Sequence, residues 1–254
     1  MRPRVRTWAS IAAAGLGGLT AISAPAASSP IDEIAAPELA CFDTPGAPLG
    51  LELRLTLLDP ALIQLGVTDH SAVVRELVQT CVAVDPPAAR AVVPPVDLAC
   101  YRIDAAPLLE PAVLDVARAD PMLGLLPGHA VTLVRPVELC LPVARDGVAL
   151  RPDVRRLIQS IALECYAAER PERPICVPVA KNSERIPRDV LGVVRRIGVE
   201  KLAVSRSAVA PALPGVRVVL RHLNPLLATL PAVAVVLHRA SGRMVPVARR
   251  APAQ

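Results

Sequence analysis

Aromatic side chains are almost absent from this chain of 254 residues, of which only 2% are Phe, Trp or Tyr. Trp8 lies in the first segment, and Phe42, Tyr101 and Tyr166 each stand beside a cysteine. Sugar-binding surfaces stack their ligands on aromatic faces, so the sequence disfavours a carbohydrate-binding protein. We expect the three cysteine-flanking rings to pack in the core.

The motifs of several enzyme classes are also missing. The sequence has no G-x-S-x-G nucleophile elbow, no H-E-x-x-H motif and no glycine-rich phosphate loop followed by Lys-Ser or Lys-Thr. Asp69-His70-Ser71 contains the residue types of a catalytic triad, but three adjacent residues cannot form that geometry among themselves. His70 recurs 59 positions later as His129, which favours a structural or turn role for both. We predict no catalytic residues, no metal site and no cofactor.

The excess of positive charge is small once the first segment is set aside. The whole chain carries +5, and its first 26 residues contribute three arginines and no acidic residue, which leaves +2. The remaining arginines are interleaved with Asp and Glu, and no basic run alternates with aromatic residues. We therefore predict no nucleic-acid partner.

The first 26 residues have the three regions of an export signal in order. Three arginines lie within residues 2–6, an uncharged apolar segment runs from Trp8 to about Ser23, and Ala24-Pro25-Ala26 provides small residues for cleavage. We predict cleavage between Ala26 and Ala27. The alternative, an uncleaved anchor, needs a longer segment, because about 20 apolar residues span a bilayer. No later segment is apolar and long enough to do so, so we predict a secreted or extracytoplasmic protein, in the periplasm or at the cell surface.

Internal repetition is the most informative pattern. Leu39-Ala-Cys-Phe42 recurs as Leu98-Ala-Cys-Tyr101, and in both copies a second cysteine follows forty positions after the first. A shortened copy begins at Leu163-Glu-Cys-Tyr166, and a last copy begins at Leu202 with apolar residues at both cysteine positions. The predicted segments are the signal peptide 1–26, a linker 27–38, and repeats at 39–85, 98–145, 163–182 and 202–249.

The repeats also predict how the six cysteines pair. Unpaired cysteines are a liability in an exported protein, so the two partners of a bond should be kept or lost together, as the copies show. Each bond would then close its own repeat: Cys41–Cys81, Cys100–Cys140 and Cys165–Cys176. The alternative is buried thiols or a metal site, but no closely spaced Cys/Cys or Cys/His cluster of the zinc type occurs.

The local patterns within each copy are mostly those of strands. Four leucines between Leu51 and Leu57 alternate with polar residues, which places them on one face of an extended chain. Similar apolar runs lie at 113–118, 130–134, 216–221 and 233–237. Asp59-Pro60, Asp120-Pro121 and Asn224-Pro225 are interpreted as turns, because proline cannot donate to a sheet ladder. Two helices are expected, at Asp153 to Ala162 and Asp189 to Ile197, and Pro86 to Pro95 should form an extended linker.

These patterns predict a mainly β protein. We expect tandem small antiparallel β repeats, arranged like a sandwich or side by side, held by disulfides and joined by one or two short helices.

Part of the repeat resembles a known one. Cys100-Tyr101 with Glu138-Leu-Cys-Leu-Pro-Val143, and Ile175-Cys-Val-Pro-Val-Ala-Lys-Asn182, are similar to a cysteine-containing repeat of exported bacterial proteins of unknown function. The resemblance covers about residues 39–182 and, more faintly, 202–249. The chain departs from it by lacking most aromatic and polar residues in the middle of the repeat, and the last cysteine pair. The resemblance implies an exported, β-rich, disulfide-bonded module and no activity.

The sequence favours a non-enzymatic structural or protein-interaction module that meets an unknown protein or cell-surface partner. The alternative is an extracytoplasmic binding protein for a small apolar ligand, because Leu-, Val- and Ala-rich segments with few large residues suit a sheet-lined cavity. A hydrolase ranks third.

Overall fold

A computed structural model describes most of the chain after the predicted leader. The described residues are 39–64, 69–83, 96–118, 129–146, 149–150, 152–169, 174–181, 197–203, 216–223, 227, 232–237 and 241–249. The predicted signal peptide with its cleavage site, the linker 27–38 and the proline-rich segment between Pro86 and Pro95 lie outside them.

The described residues are mainly β, as predicted. The strands are β1 (Leu39–Asp43), β2 (Pro48–Leu57), β3 (Asp69–Ala83), β4 (Asp97–Ala105), β5 (Ala112–Arg118), β6 (His129–Arg145), β7 (Ile161–Ala168), β8 (Ile175–Lys181), β9 (Ile197–Ala203), β10 (Val216–His222), β11 (Val233–Leu237) and β12 (Gly242–Arg249). The helices are α1 (Pro60–Gln64) and α2 (Pro152–Ser160). The strands include all five apolar runs noted in the sequence, and in β2 Leu53, Leu55 and Leu57 are buried while Glu52 and Arg54 are exposed.

Eight of the strands pair in a closed circuit. In order around the circuit they are β1, β3, β4, β6, β7, β8, β9 and β12, and β12 pairs again with β1. Every one of these pairings is antiparallel. A closed circuit leaves its members without the unpaired row of backbone groups that an edge strand presents.

The other four strands attach to this circuit in a regular way. Three short segments pair with a strand from a distant part of the sequence. They are formed by the third to fifth residues after Cys140, after Cys176 and after Met244. Residues 143–145 pair with β10, residues 179–181 with β2, and residues 247–249 with β5. β11 extends the sheet beyond β10.

The circuit strand β4 buries side chains on both of its faces, in two different clusters. On β4, Leu98 and Cys100 belong to a small cluster that contains all six cysteines, whereas Ala99, Tyr101 and Ile103 belong to a large aliphatic and aromatic cluster. Alternation along a strand sends successive side chains to opposite faces, which explains the division. Phe42 and Tyr166 also lie in the large cluster, so the three cysteine-flanking rings are core residues, as predicted.

The turn predicted at Asp59-Pro60 is wrong, because Pro60 begins the short helix α1. The Leu62 N–H donates to Asp59 Oδ1 over 3.3 Å, and the Ile63 N–H donates to the Asp59 carbonyl over 3.0 Å. Asp59 therefore caps the helix. Proline fits the first helical position, since the N–H that it lacks has no partner within a helix there.

The helix predicted from Asp153 to Ala162 is present as α2, but it ends two residues early. Ile161 and Ala162 instead open β7, where they pair with Ala180 and Val179. Most of the second predicted helix lies outside the described residues, and its last residue, Ile197, begins β9. The proline turns at Asp120 and Asn224 also lie outside the described residues. The division of the chain into four repeats stays a prediction.

Candidate functional site

The cysteines pair as the repeat pattern predicts. Cys41–Cys81, Cys100–Cys140 and Cys165–Cys176 have S–S distances of 2.08, 2.04 and 2.09 Å. In each bond the two cysteines stand directly opposite each other on paired strands, and all six side chains are fully buried. Three disulfides fit a protein that works outside the cytosol.

A buried carboxylate joins two strands that are not paired with each other. Glu164 on β7 is fully buried, and its Oε1 lies 2.7 Å from Nε2 of His70 on β3. Its other oxygen, Oε2, accepts a hydrogen bond of 2.7 Å from the Tyr166 hydroxyl. Because β4 and β6 separate β3 from β7 along the circuit, this cluster ties together distant parts of the fold. We call His70, Glu164 and Tyr166 the carboxylate cluster.

Burial and Glu164 together set the pKa values of His70 and Tyr166. Burial by itself lowers the pKa of His70, but the hydrogen bond and charge of Glu164, with a smaller contribution from Asp69, raise it above the ordinary 6.5. Burial, followed by the charge and hydrogen bond of Glu164, raises the pKa of the Tyr166 hydroxyl. The cluster therefore favours a protonated His70 and a neutral Tyr166 around a carboxylate.

The carboxylate cluster is turned inward and has no open reactive atom. His70 Nε2 is occupied by Glu164, and its Nδ1 is buried with no hydrogen-bond partner among the described residues. Asp69 and Ser71 are exposed and lie on the opposite face of β3 from His70, so they do not complete a catalytic triad. The arrangement can hold a proton and clamp strands, but it presents no base to a substrate.

A second buried histidine has the opposite electrostatic surroundings. His222 Nε2 on β10 lies 2.8 Å from the Tyr101 hydroxyl on β4, and the ring centroids are 5.8 Å apart. Burial, together with the positive charge of the buried Lys181, lowers the pKa of His222 to about 4. The neutral imidazole therefore accepts the hydrogen bond from Tyr101, whose own pKa is raised by burial.

His129, which recurs 59 positions after His70, lies elsewhere in the fold. His129 begins β6, where it is exposed and opposite Val116, and the structure does not place it in the carboxylate cluster. His238 lies outside the described residues.

Sequence reasoning missed the buried charges, although one signal was present. In the three cysteine motifs, Glu164 occupies the position that Ala40 and Ala99 occupy in the other two copies. An acidic residue at an otherwise apolar, strand-buried position needs internal partners, which identifies it as unusual. Sequence reasoning also missed the ion pair of Asp97 and Arg145. Asp97 is almost fully buried and accepts hydrogen bonds of 2.5 and 2.9 Å from the Arg145 guanidinium.

One group in the structure has the ligand types of a metal site. Atoms of Cys100, Glu138 and Cys140 lie within 4.8 Å of one another. The two cysteine sulfurs are bonded to each other, so they are not thiolates, the form that binds metals. This group does not function as a metal site while the disulfide is intact.

Within the described part of the chain, no helix has both the length and the apolar character needed to cross a membrane. Comparison with protein families, with curated proteins and with solved structures finds no match to this chain.

The carboxylate cluster predicts that stability falls as the pH rises. Because the pKa of His70 is raised on folding, its contribution is fully present below pH 6.5 and is lost as the pH rises through the higher folded pKa. His70→Gln should lower the free energy of unfolding most at pH 5.5. Between pH 5.5 and pH 8.5, the free energy of unfolding should therefore decrease less in the variant than in the wild type. Denaturant unfolding of the oxidised protein across this range measures both effects. The exposed His129→Gln is the control, and an equal pH response in both variants would contradict the assignment.

His222 predicts a decrease in stability on the acid side. Its folded pKa of about 4 lies below the ordinary 6.5, so the unfolded chain binds its proton first and stability decreases as the pH falls from 6.5 to 4. By the usual conversion, this group accounts for about 3 kcal/mol over that interval. His222→Gln retains an acceptor for Tyr101 but does not titrate. The unfolding free energy of the wild type minus that of the variant should therefore decrease as the pH falls from 6.5 to 4. A difference that stays constant over this range would refute the prediction.

Proposed function

We propose that the chain is exported and works outside the cytosol as a non-enzymatic structural or protein-interaction module. Its leader would be removed between Ala26 and Ala27. Three disulfides support this location, because such bonds persist in oxidising compartments and are rare in the cytosol. The repeat interpretation adds support, since stacked units of this kind commonly present extended binding surfaces.

The inward orientation of the carboxylate cluster carries the non-enzymatic part of the proposal. A catalytic histidine must reach the proton that it transfers, directly or through one water. In the carboxylate cluster, one ring nitrogen of His70 faces Glu164 and the other is buried. His222 likewise faces Tyr101. Both histidines serve to join strands, which is a structural use.

The edge of β11 is the surface that we assign to a partner protein. Among the described residues, β11 pairs with β10 alone, so its other edge has backbone groups available for an added strand. Ala234 and Val236 are exposed on this strand, Val236 to 47%. The sequence of β11 is Val-Ala-Val-Val-Leu. It contains neither a charged residue nor a proline, the residues that commonly prevent an edge strand from pairing with another chain. An extended segment of the partner would add to the sheet here.

Export is tested by producing the full chain, with residues 1–26, in a secreting bacterial host. We expect an exported protein that starts at Ala27, as read by intact mass, and that contains no free thiol. A chain that lacks residues 2–26 is the control, and it should stay in the cytosol. A full chain that also stays in the cytosol would overturn the proposed location.

Partner binding is tested by cross-linking the exported protein in the cells that produce it. Val236→Arg introduces a bulky charge at the proposed edge and should decrease the cross-linked complex about tenfold, a loss of about 1.4 kcal/mol of binding free energy. Val113→Arg is the matched control, because Val113 is also an exposed valine, at 62%, but lies on β5, opposite Thr132 of β6 and not on the β11 edge. Equal yields from the two variants would exclude the β11 edge. A complete lack of complex in wild type would contradict the interaction role.

A further inference from the structure

Two disulfides of the chain touch each other. Cys140 Sγ, of the Cys100–Cys140 bond, lies 3.7 Å from Cys165 Sγ, of the Cys165–Cys176 bond. The two cysteines are on the neighbouring strands β6 and β7, where Cys140 is opposite Leu163 and Cys165 stands two positions further along. They are thus diagonal neighbours on one face of the sheet.

The third disulfide has different surroundings. Cys41–Cys81 belongs to the same buried cluster, but the Cys81 sulfur lies 3.8 Å from Oε1 of Gln79. Among the described residues, no comparable sulfur contact joins this bond to another disulfide. The pairing of neighbouring disulfides is therefore specific to Cys100–Cys140 and Cys165–Cys176.

We propose that these two disulfides form an exchange pair, in which opening either bond leads to a new bond between Cys140 and Cys165. Thiolates attack disulfide sulfurs directly, so two sulfurs in contact are placed for this reaction. The proposal concerns the redox chemistry of the fold and does not depend on the proposed function.

The first step needs an external dithiol reductant. The reductant gives two electrons and two protons to Cys165–Cys176, is itself oxidised to a disulfide, and leaves two thiols. The Cys165 thiol then loses its proton, and its sulfur attacks Cys140. The Cys140–Cys165 bond forms, the Cys100–Cys140 bond breaks, and the released electron pair stays on the Cys100 sulfur, which takes up a proton. This second step is neither an oxidation nor a reduction overall.

Opening the other bond first leads to the same product. If the reductant opens Cys100–Cys140, the Cys140 thiolate attacks Cys165 and releases Cys176. Both routes therefore converge on one isomer, with a Cys140–Cys165 bond and free thiols at Cys100 and Cys176. Once one bond is open, the internal attack competes well with a second molecule of reductant, because the attacking and attacked sulfurs are already in contact.

Partial reduction of the full chain tests the exchange. The oxidised protein is treated with a limiting amount of dithiothreitol at pH 8 without denaturant, alkylated with N-ethylmaleimide, digested without reduction, and mapped by mass spectrometry. Among chains that carry two labels, we expect a species labelled on Cys100 and Cys176 with a Cys140–Cys165 bond. It should be at least about tenfold more abundant than any other non-native pairing. Labels confined to the native pairs, or non-native bonds spread over all six cysteines, would overturn the proposal.

Two double variants add a matched comparison. C100S with C176S leaves Cys140 and Cys165, whereas C100S with C165S leaves Cys140 and Cys176. Each variant loses the same two native bonds, so any loss of stability from missing bonds is shared. Under air oxidation we expect the first to form its new bond and the second to keep two free thiols. If both form a bond at the same rate, or neither does although both keep the wild-type circular dichroism spectrum, the contact does not direct the exchange.

Discussion

The closed pairing of eight strands is the constraint on which the other features depend. A strand that belongs to the circuit is hydrogen-bonded on both sides, and β4, β7 and β8 also bury side chains on both of their faces. On the strands that carry cysteines, one face holds the cysteines, and the other packs the three cysteine-flanking rings Phe42, Tyr101 and Tyr166 with leucines and valines. An ionisable side chain that is buried on such a strand must find its partners inside the protein, because burying an unpaired charge is costly.

Two histidines show how the identity of the neighbour decides the effect of burial. Burial lowers the pKa of both, yet His70 faces the carboxylate of Glu164 and its pKa is raised, whereas His222 lies near the ammonium of Lys181 and its pKa is lowered. One histidine therefore stabilises the fold in its charged form and the other in its neutral form. Both are used to join strands, and this structural use of the two buried histidines underlies the proposal of a non-enzymatic protein.

The disulfides connect the fold with its redox environment. Each bond joins directly opposite residues of a strand pair, so each fixes the register of that pair. Crowding three bonds into one buried cluster also brings sulfurs of different bonds into contact, at Cys140 and Cys165. Register and reactivity thus come from the same placement of cysteines on one face of the circuit.

The sequence by itself determined the features that depend on local pattern. Alternation predicted β2 and its buried leucines, the shared loss of cysteine pairs predicted the three bonds, and apolar spacing after Asp153 predicted most of α2. Only the tertiary structure decided that the strands close into a circuit, that Glu164 meets a histidine 94 positions away, and that Cys140 contacts Cys165. The physical reason is that periodicity fixes which face a side chain occupies, whereas its partner across the fold depends on strand order and register. The error at Pro60 has a local cause instead, because capping by Asp59 makes the expected break the start of a helix.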